Sequence, residues 1–163
     1  MILIALGANL PFAGAAPEQT LRASLRLLSN NGAKVISVSR FFMTPAWPDP
    51  SDPPYVNAAA MVATSLAPGA MMELMHDIES RLGRVRGKRN AARCLDLDLL
   101  DYGGQVDVGP PILPHPRIEN RGFVLIPLAD IAPGWVHPLS GRSVHELIAA
   151  LPAADRDAVH PLA

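Results

Sequence analysis

LDLDLL, residues 95–100, alternates leucine with aspartate before closing on two leucines. Alternation with period two marks a half-buried strand. It predicts Leu95, Leu97 and Leu99 on the core face and Asp96 with Asp98 on the other, about 7 Å apart along the chain. Just upstream the period is helical: Pro68 opens a helix, Met71, Leu74 or Met75, Ile78 and Leu82 share its apolar face, and Gly83 stops it. Before that helix lies an apolar strand, residues 55–64, and before the strand a segment, 44–54, carrying Pro45, Pro48, Pro50, Pro53 and Pro54. So many prolines exclude helix and central strand, so a long loop is predicted. Toward the N-terminus, residues 2–6 (ILIAL) closed by Gly7 read as a buried central strand. Pro17 opens a helix with Leu21, Leu25 and Leu28 on one face and a stop at Asn30-Asn31-Gly32, and Val35, Ile36 and Val38 run into Phe41 and Phe42 as one strand. Strand, helix, strand, strand, helix, strand predicts an α+β, ferredoxin-like βαββαβ sandwich with a mainly antiparallel sheet. Extra C-terminal elements follow: a Gly103-Gly104 turn into Val106 and Val108, a proline cluster at 110–116, a mixed segment ending near Ala132, and a short helix over 144–151.

The 163 residues are 49% hydrophobic, with 14 basic and 15 acidic side chains and a net charge of -1. One domain spanning 1–163 is expected, large enough to bury a core without disulfide or structural metal. The single cysteine, Cys94, cannot form an internal bridge, and a reducing, cytoplasmic location is expected. No stretch approaches the roughly 20 apolar residues of a membrane span. Near-neutral charge argues against coating nucleic acid or an anionic membrane.

Charge is concentrated in one place. Residues 81–93 hold Arg81, Arg84, Arg86, Lys88, Arg89 and Arg93 without an acid among them, and the arginine fork suits phosphate oxygens. The Asp96/Asp98 pair follows directly. Two carboxylates so close repel unless a cation joins them, and Mg²⁺ is commonly held by one or two carboxylates plus substrate phosphates. Cations for phosphates beside anions for the phosphates' metal describe a nucleotide-handling site. GRVRGKR at 83–89 only imitates a P-loop, being short by one residue between its glycines and lacking Ser or Thr after the lysine. A further cluster, Pro114-His115-Pro116-Arg117 with Asn120-Arg121-Gly122-Phe123, offers a second phosphate grip, while Tyr55 and Asn57 share one side of their strand and would suit a planar heterocycle.

Taken together, ALGANL (5–10), TP (44–45), YVNAA (55–59), TSLAP (64–68), IESRLGRVR (78–86), RCLDLDLL (93–100), PHPR (114–117) and RGFVLIPLADIAP (121–133) resemble the 6-hydroxymethyl-7,8-dihydropterin pyrophosphokinases of folate synthesis. The resemblance implies a ferredoxin-like fold and transfer of the terminal pyrophosphate of ATP to the pterin's hydroxymethyl oxygen, releasing AMP. It implies Asp96 and Asp98 as ligands of two Mg²⁺ ions, Arg84 and Arg93 as catalytic loop arginines, and Arg84, Arg86, Arg93, His115 and Arg121 as ATP contacts. Thr44, Pro45, Tyr55, Asn57 and Phe123 would bind the pterin. The implied partners are ATP and the pterin, with no nucleic acid or membrane, and a monomer is expected.

The family commonly carries R-W-G-P-R ahead of the aspartates, where this chain reads Arg89-Asn90-Ala91-Ala92-Arg93, so the loop tryptophan is gone and Trp47 is a candidate replacement ring. Two alternatives remain open at this point: a ligand-binding but inactive relative, and a ferredoxin-like RNA-binding module. The second lacks interleaved sheet aromatics, with only 5% aromatic residues in all.

Overall fold

The computed structural model describes residues 1–85 and 92–163. In chain order the elements are β1 (Ile2–Ala8), α1 (Pro17–Asn30), β2 (Lys34–Val38), β3 (Phe42–Thr44), β4 (Tyr55–Ala63), α2 (Pro68–Arg81), β5 (Asp96–Tyr102), β6 (Asp107–Val108) and β7 (Ile112–Leu113). A 3-10 turn at Ile118–Asn120 leads into α3 (Gly122–Ile131), α4 (Val144–Ala150), α5 (Ala153–Asp157) and β8 (His160–Pro161). The main sheet runs β5-β1-β4-β3-β8, with β2 also paired to β4, and every pairing is antiparallel. The ferredoxin-like arrangement is thus present. Both long helices begin on proline, whose fixed φ suits the first turn, where a backbone N–H has no partner anyway.

Alternation sorts the sheet into two faces. Ile2, Ile4 and Leu6 of β1, Val56, Ala58, Ala60 and Val62 of β4, and Leu97 and Leu99 of β5 bury against Leu21 and Leu28 of α1 and Met71, Met75 and Ile78 of α2. The opposite face is covered at one end only, where Leu3, Ala5 and Leu100 meet Val124, Leu125 and Leu128 of α3 and Val144 and Leu147 of α4. Trp135 secures this second layer by donating Nε1–H to Asp101 Oδ2 at 2.7 Å. The rest of that face, around Gly7, Tyr55 and Asp96, lies open. Among the described residues no helix is long and apolar enough to cross a membrane.

Several sequence expectations need correction. The single strand read through Val35 and Phe42 is two, β2 and β3. Three residues separate Val38 from Phe42 while two separate their partners Ala60 and Asn57, so one residue is in excess. The Ser39 hydroxyl takes up the slack by accepting the Ala59 N–H at 2.9 Å, while Arg40 turns out to an ion pair with Asp130 of α3 at 2.9 Å. The expected turn at Gly103-Gly104 is present, and beyond it β6 pairs with β7 in a separate hairpin. The mixed segment ending near Ala132 is α3, whose internal Pro127 disguises its helical period. Neither α5, five residues long, nor β8, two residues long, carries a period that the sequence could display.

Gly83, at the end of α2, has φ +86°, and a Cβ there would come within 2.2 Å of the Phe12 ring. Gly83→Ala is therefore expected to lower the urea midpoint by the equivalent of roughly 1–2 kcal/mol for the left-handed backbone alone, and further for the displaced ring. Gly69→Ala, in the first turn of α2 with nothing within 4 Å, should hold or raise the midpoint, since alanine loses less backbone entropy in a helix than glycine. Equal midpoints for the two variants would contradict this account.

Candidate active site

The open end of the second face is floored by a row of paired residues. Phe42 stands opposite Asn57, Asn57 opposite Gly7, and Gly7 opposite Asp96. Directly paired residues share a face, so the row sets an amide and a carboxylate on one surface with a glycine between them. Glycine keeps the floor low there, because a Cβ would stand a tight 3.2 Å from Asn57 Oδ1. One position along, Ala5 faces Asp98, so the predicted alternation of β5 holds and both aspartates look into the opening. Above this floor is a cavity of about 590 Å³, within the usual range for small-molecule sites.

Thr44, Pro45, Tyr55, Asn57 and Phe123 all line the cavity, as do Arg93, Asp96, Asp98 and Arg121. Asn57 is buried and donates Nδ2–H to Thr44 Oγ1 at 2.9 Å, which leaves its Oδ1 toward Gly7. Phe123 is 40% exposed with the Arg121 guanidinium 5.6 Å from its ring centre, and Trp47, at the cavity mouth, is 72% exposed. Such exposed rings beside a pocket are what a flat ligand would cover. Arg86 lies outside the described residues.

Each aspartate is held by cations. Asp96 accepts from Arg84 Nη1 at 2.8 Å and pairs with Arg93 Nη1 at 2.9 Å. Asp98 accepts from Arg121 Nη1 at 3.2 Å, with His115 Nε2 at 3.8 Å. The Arg117 N–H donates to His115 Nδ1 at 3.2 Å, so a neutral ring carries its proton on Nε2, facing Asp98. Burial holds the His115 pKa below the ordinary imidazole value, the neighbouring Arg121 and Arg117 adding to the effect against the opposing pull of Asp98. Burial likewise pushes Asp98 up, reinforced by the Asp96 charge and opposed by His115, Arg121 and Arg84.

Two contributors escaped the sequence reading. Glu79, buried on α2, accepts the Leu97 N–H at 2.7 Å and a bond from Arg84, which passes on to Asp96. Burial pushes its carboxyl pKa up in spite of both donors. Asn9, also buried, accepts the Arg93 N–H on Oδ1 at 2.8 Å and donates Nδ2–H to the Pro53 carbonyl at 3.0 Å. One amide thereby ties the proline-rich loop to the end of the arginine-rich run. The available signal was the absence of any apolar role for either residue in its element, which by itself does not name a partner.

Asp98 binds its proton more tightly in the fold than in the unfolded chain, so its ionised form costs stability at neutral pH. That cost fades as pH falls through the raised folded-state value and is gone below the ordinary carboxylate range, where both states are protonated. Asp98→Asn is uncharged throughout and is expected to raise Tm at pH 7, at about 2–4 °C for each kcal/mol in a domain of this size. The gain should shrink toward pH 4, and thermal denaturation at both pH values checks it.

Residues 3–133 match the family described as 7,8-dihydro-6-hydroxymethylpterin-pyrophosphokinase. The chain is 35% identical over 162 residues to a 2-amino-4-hydroxy-6-hydroxymethyldihydropteridine pyrophosphokinase of Synechocystis, covering 99% of this chain and 80% of the relative. A protein of the same name from Methylorubrum extorquens is 40% identical over 126 residues, 77% of this chain and 78% of that one. A crystallised HPPK-DHPS chain of Plasmodium falciparum superposes with a TM-score of 0.65 at 13% identity, over 90% of this chain and 42% of that one. This chain therefore spans about two fifths of that longer protein, and the likeness there is one of fold.

Proposed function

Because the chain belongs to the 7,8-dihydro-6-hydroxymethylpterin-pyrophosphokinase family, and so transfers pyrophosphate in folate biosynthesis, we propose that ATP and 6-hydroxymethyl-7,8-dihydropterin meet at the open end of the sheet. The observation that carries this reading is the row Asn57, Gly7, Asp96. At about 4.8 Å per strand, the amide that would read the heterocycle and the carboxylate that would serve the phosphates stand roughly 10 Å apart, with only Gly7, which has no side chain, between them in the row. A pterin lying across Gly7 would turn its hydroxymethyl group toward β5.

Tyr55 and Phe123 would stack on the ring, Asn57 would hydrogen-bond its amide edge, and Thr44 and Pro45 would close the side. The hydroxymethyl oxygen forms a bond to the β-phosphorus, the bond from that phosphorus to the oxygen bridging to the α-phosphate breaks, AMP leaves with that oxygen, and the hydroxyl proton is lost. The chain's task is alignment and charge neutralisation. Asp96 and Asp98 would hold Mg²⁺, two ions with ATP. Their donor set fits, since two hard carboxylate ligands on one face leave the remaining positions to phosphate oxygens. Held by these two carboxylates, the metal would supply charge neutralisation at the phosphates and Lewis acidity toward the phosphorus. Arg84 and Arg93, which hold Asp96 in this structure, would exchange it for phosphate oxygens. Arg121 and His115, gathered on Asp98, would contact the nucleotide, as would Arg86. In this reading residues 1–163 act as one catalytic domain, a cytoplasmic monomer.

The reading is tested by assaying AMP and pterin diphosphate formation from ATP, Mg²⁺ and the reduced pterin. Asp96→Ala and Asp98→Ala are each expected to lower kcat by about a thousandfold with Tm not reduced to match. Near-normal turnover in either purified variant at saturating Mg²⁺ would remove that aspartate from the metal site.

Arg84→Ala and Arg93→Ala should lower the chemical step in quench-flow by about a hundredfold or more, while ATP affinity in fluorescence titration falls much less. Weak ATP binding with normal turnover at saturation would make both arginines ground-state anchors.

A further inference from the structure

The cavity has a wall that no expectation from the sequence supplied. Asp155, Ala158 and Val159 line it together with Thr44, Tyr55 and Phe123, and all three lie beyond the segment, 3–133, that matches the family. They are held in place from two sides. β8 pairs with β3 through Pro161 opposite Phe42 and His160 opposite Met43, and the Leu162 N–H donates to the Phe41 carbonyl at 2.8 Å. On the other side α5 lies against the first turn of α3 so closely that a Cβ on Gly122 would be 3.0 Å from the Asp155 carbonyl oxygen. Continuing the β3–β8 register by one residue sets Val159 opposite Thr44, which is itself opposite Tyr55.

β5 and β8 lie at opposite ends of the strand order β5-β1-β4-β3-β8, so Val159 stands on the side of the cavity away from the aspartates. We propose that the C-terminal segment 155–161 forms the distal wall of the heterocycle's pocket, and that Val159 is a specificity-determining residue that limits how far the ring can extend away from the reacting hydroxymethyl group. This rests on the pterin and ATP occupying the open sheet end as proposed above. A ring approaching from β5 meets Asn57 and the stacking aromatics first, and an isopropyl group then stops its far edge. Such a contact, remote from the phosphorus, acts on binding of substrate and transition state alike, so it should appear in KM for the pterin and not in kcat.

The experiment compares wild type, Val159→Trp and Val159→Ala in steady-state assays with each substrate varied in turn, alongside thermal denaturation. Val159→Trp should raise the pterin KM at least tenfold, with kcat and the KM for ATP within twofold of wild type. Val159→Ala, which enlarges the pocket without threatening the fold, should raise the pterin KM about threefold and improve turnover of a pterin carrying an added methyl group on the ring edge remote from the hydroxymethyl substituent. A pterin KM within twofold of wild type in a folded Val159→Trp protein would overturn the proposal. If that variant does not fold, an unchanged pterin KM and unchanged preference in Val159→Ala would do the same. A wild-type protein that forms no pterin diphosphate would instead overturn the functional reading beneath it, so the two failures are distinguishable.

Discussion

Asp96 is shared by two guanidinium groups from opposite ends of the arginine-rich run, Arg84 and Arg93, and much of the site's order follows from that sharing. Arg84 is itself held by the buried Glu79, and Arg93 is held through its backbone by Asn9. Glu79 also accepts the Leu97 N–H, so the same carboxylate that restrains the arginine fixes the strand displaying the aspartates. A buried carboxylate with a raised pKa is costly to keep, and it is retained where its hydrogen bonds set the direction of other charged groups. The charges of the site are thus mutually paired: arginines suited to phosphate sit against aspartates suited to metal. In the proposed reading, substrate and metal together would satisfy both sets at once, whereas either alone would leave one set without its present partner.

The sheet decides where this can happen. α1 and α2 cover one face with Leu21, Leu28, Met71, Met75 and Ile78, but α3 and α4 reach only the end of the other face marked by Leu3 and Leu100. The uncovered half carries polar residues at positions where the covered half carries apolar ones, as in Asp96 and Asp98 ahead of Leu100 on β5. Gly7 keeps that surface flat in the middle. The ferredoxin-like core therefore supplies the floor, and the added C-terminal elements determine its extent.

Much of this was legible in the residues. The alternation of β5, the two proline-initiated helices, the loop at 44–54 and the pairing of Tyr55 with Asn57 on one side are local patterns, and each survives in the structure. What was hidden is what depends on a distant partner. Pro127 interrupts the helical period of α3 because its missing N–H is a local cost that burial of Val124, Leu125 and Leu128 outweighs. The division of β2 from β3 depends on Ser39 meeting Ala59 and Arg40 meeting Asp130. Glu79 reads as one more polar position on an amphipathic helix until the Leu97 N–H is placed above it. Asn9 follows a strand and looks like a turn residue until Pro53 and Arg93 converge on its amide. β8, two residues long, has no period to read at all.

Chain order and spatial order run against each other around the cavity. Its floor begins at Ala5, its carboxylates lie at 96 and 98, and its last wall residue is Val159, so the site draws on nearly the whole sequence. Within the chain α1 packs against β1 and β2, and β2 and β3 both pair with β4, contacts between neighbouring segments of the sequence. β1 gains its second sheet partner only when β5 has been made, and β3 gains its own only when residues 160–161 arrive. Closing contacts of such long sequence separation is entropically slow. The binding surface is consequently the part of the molecule with the longest-range closures, and its assembly carries a larger loop-closure entropy than that of the hydrophobic layer built from neighbouring segments.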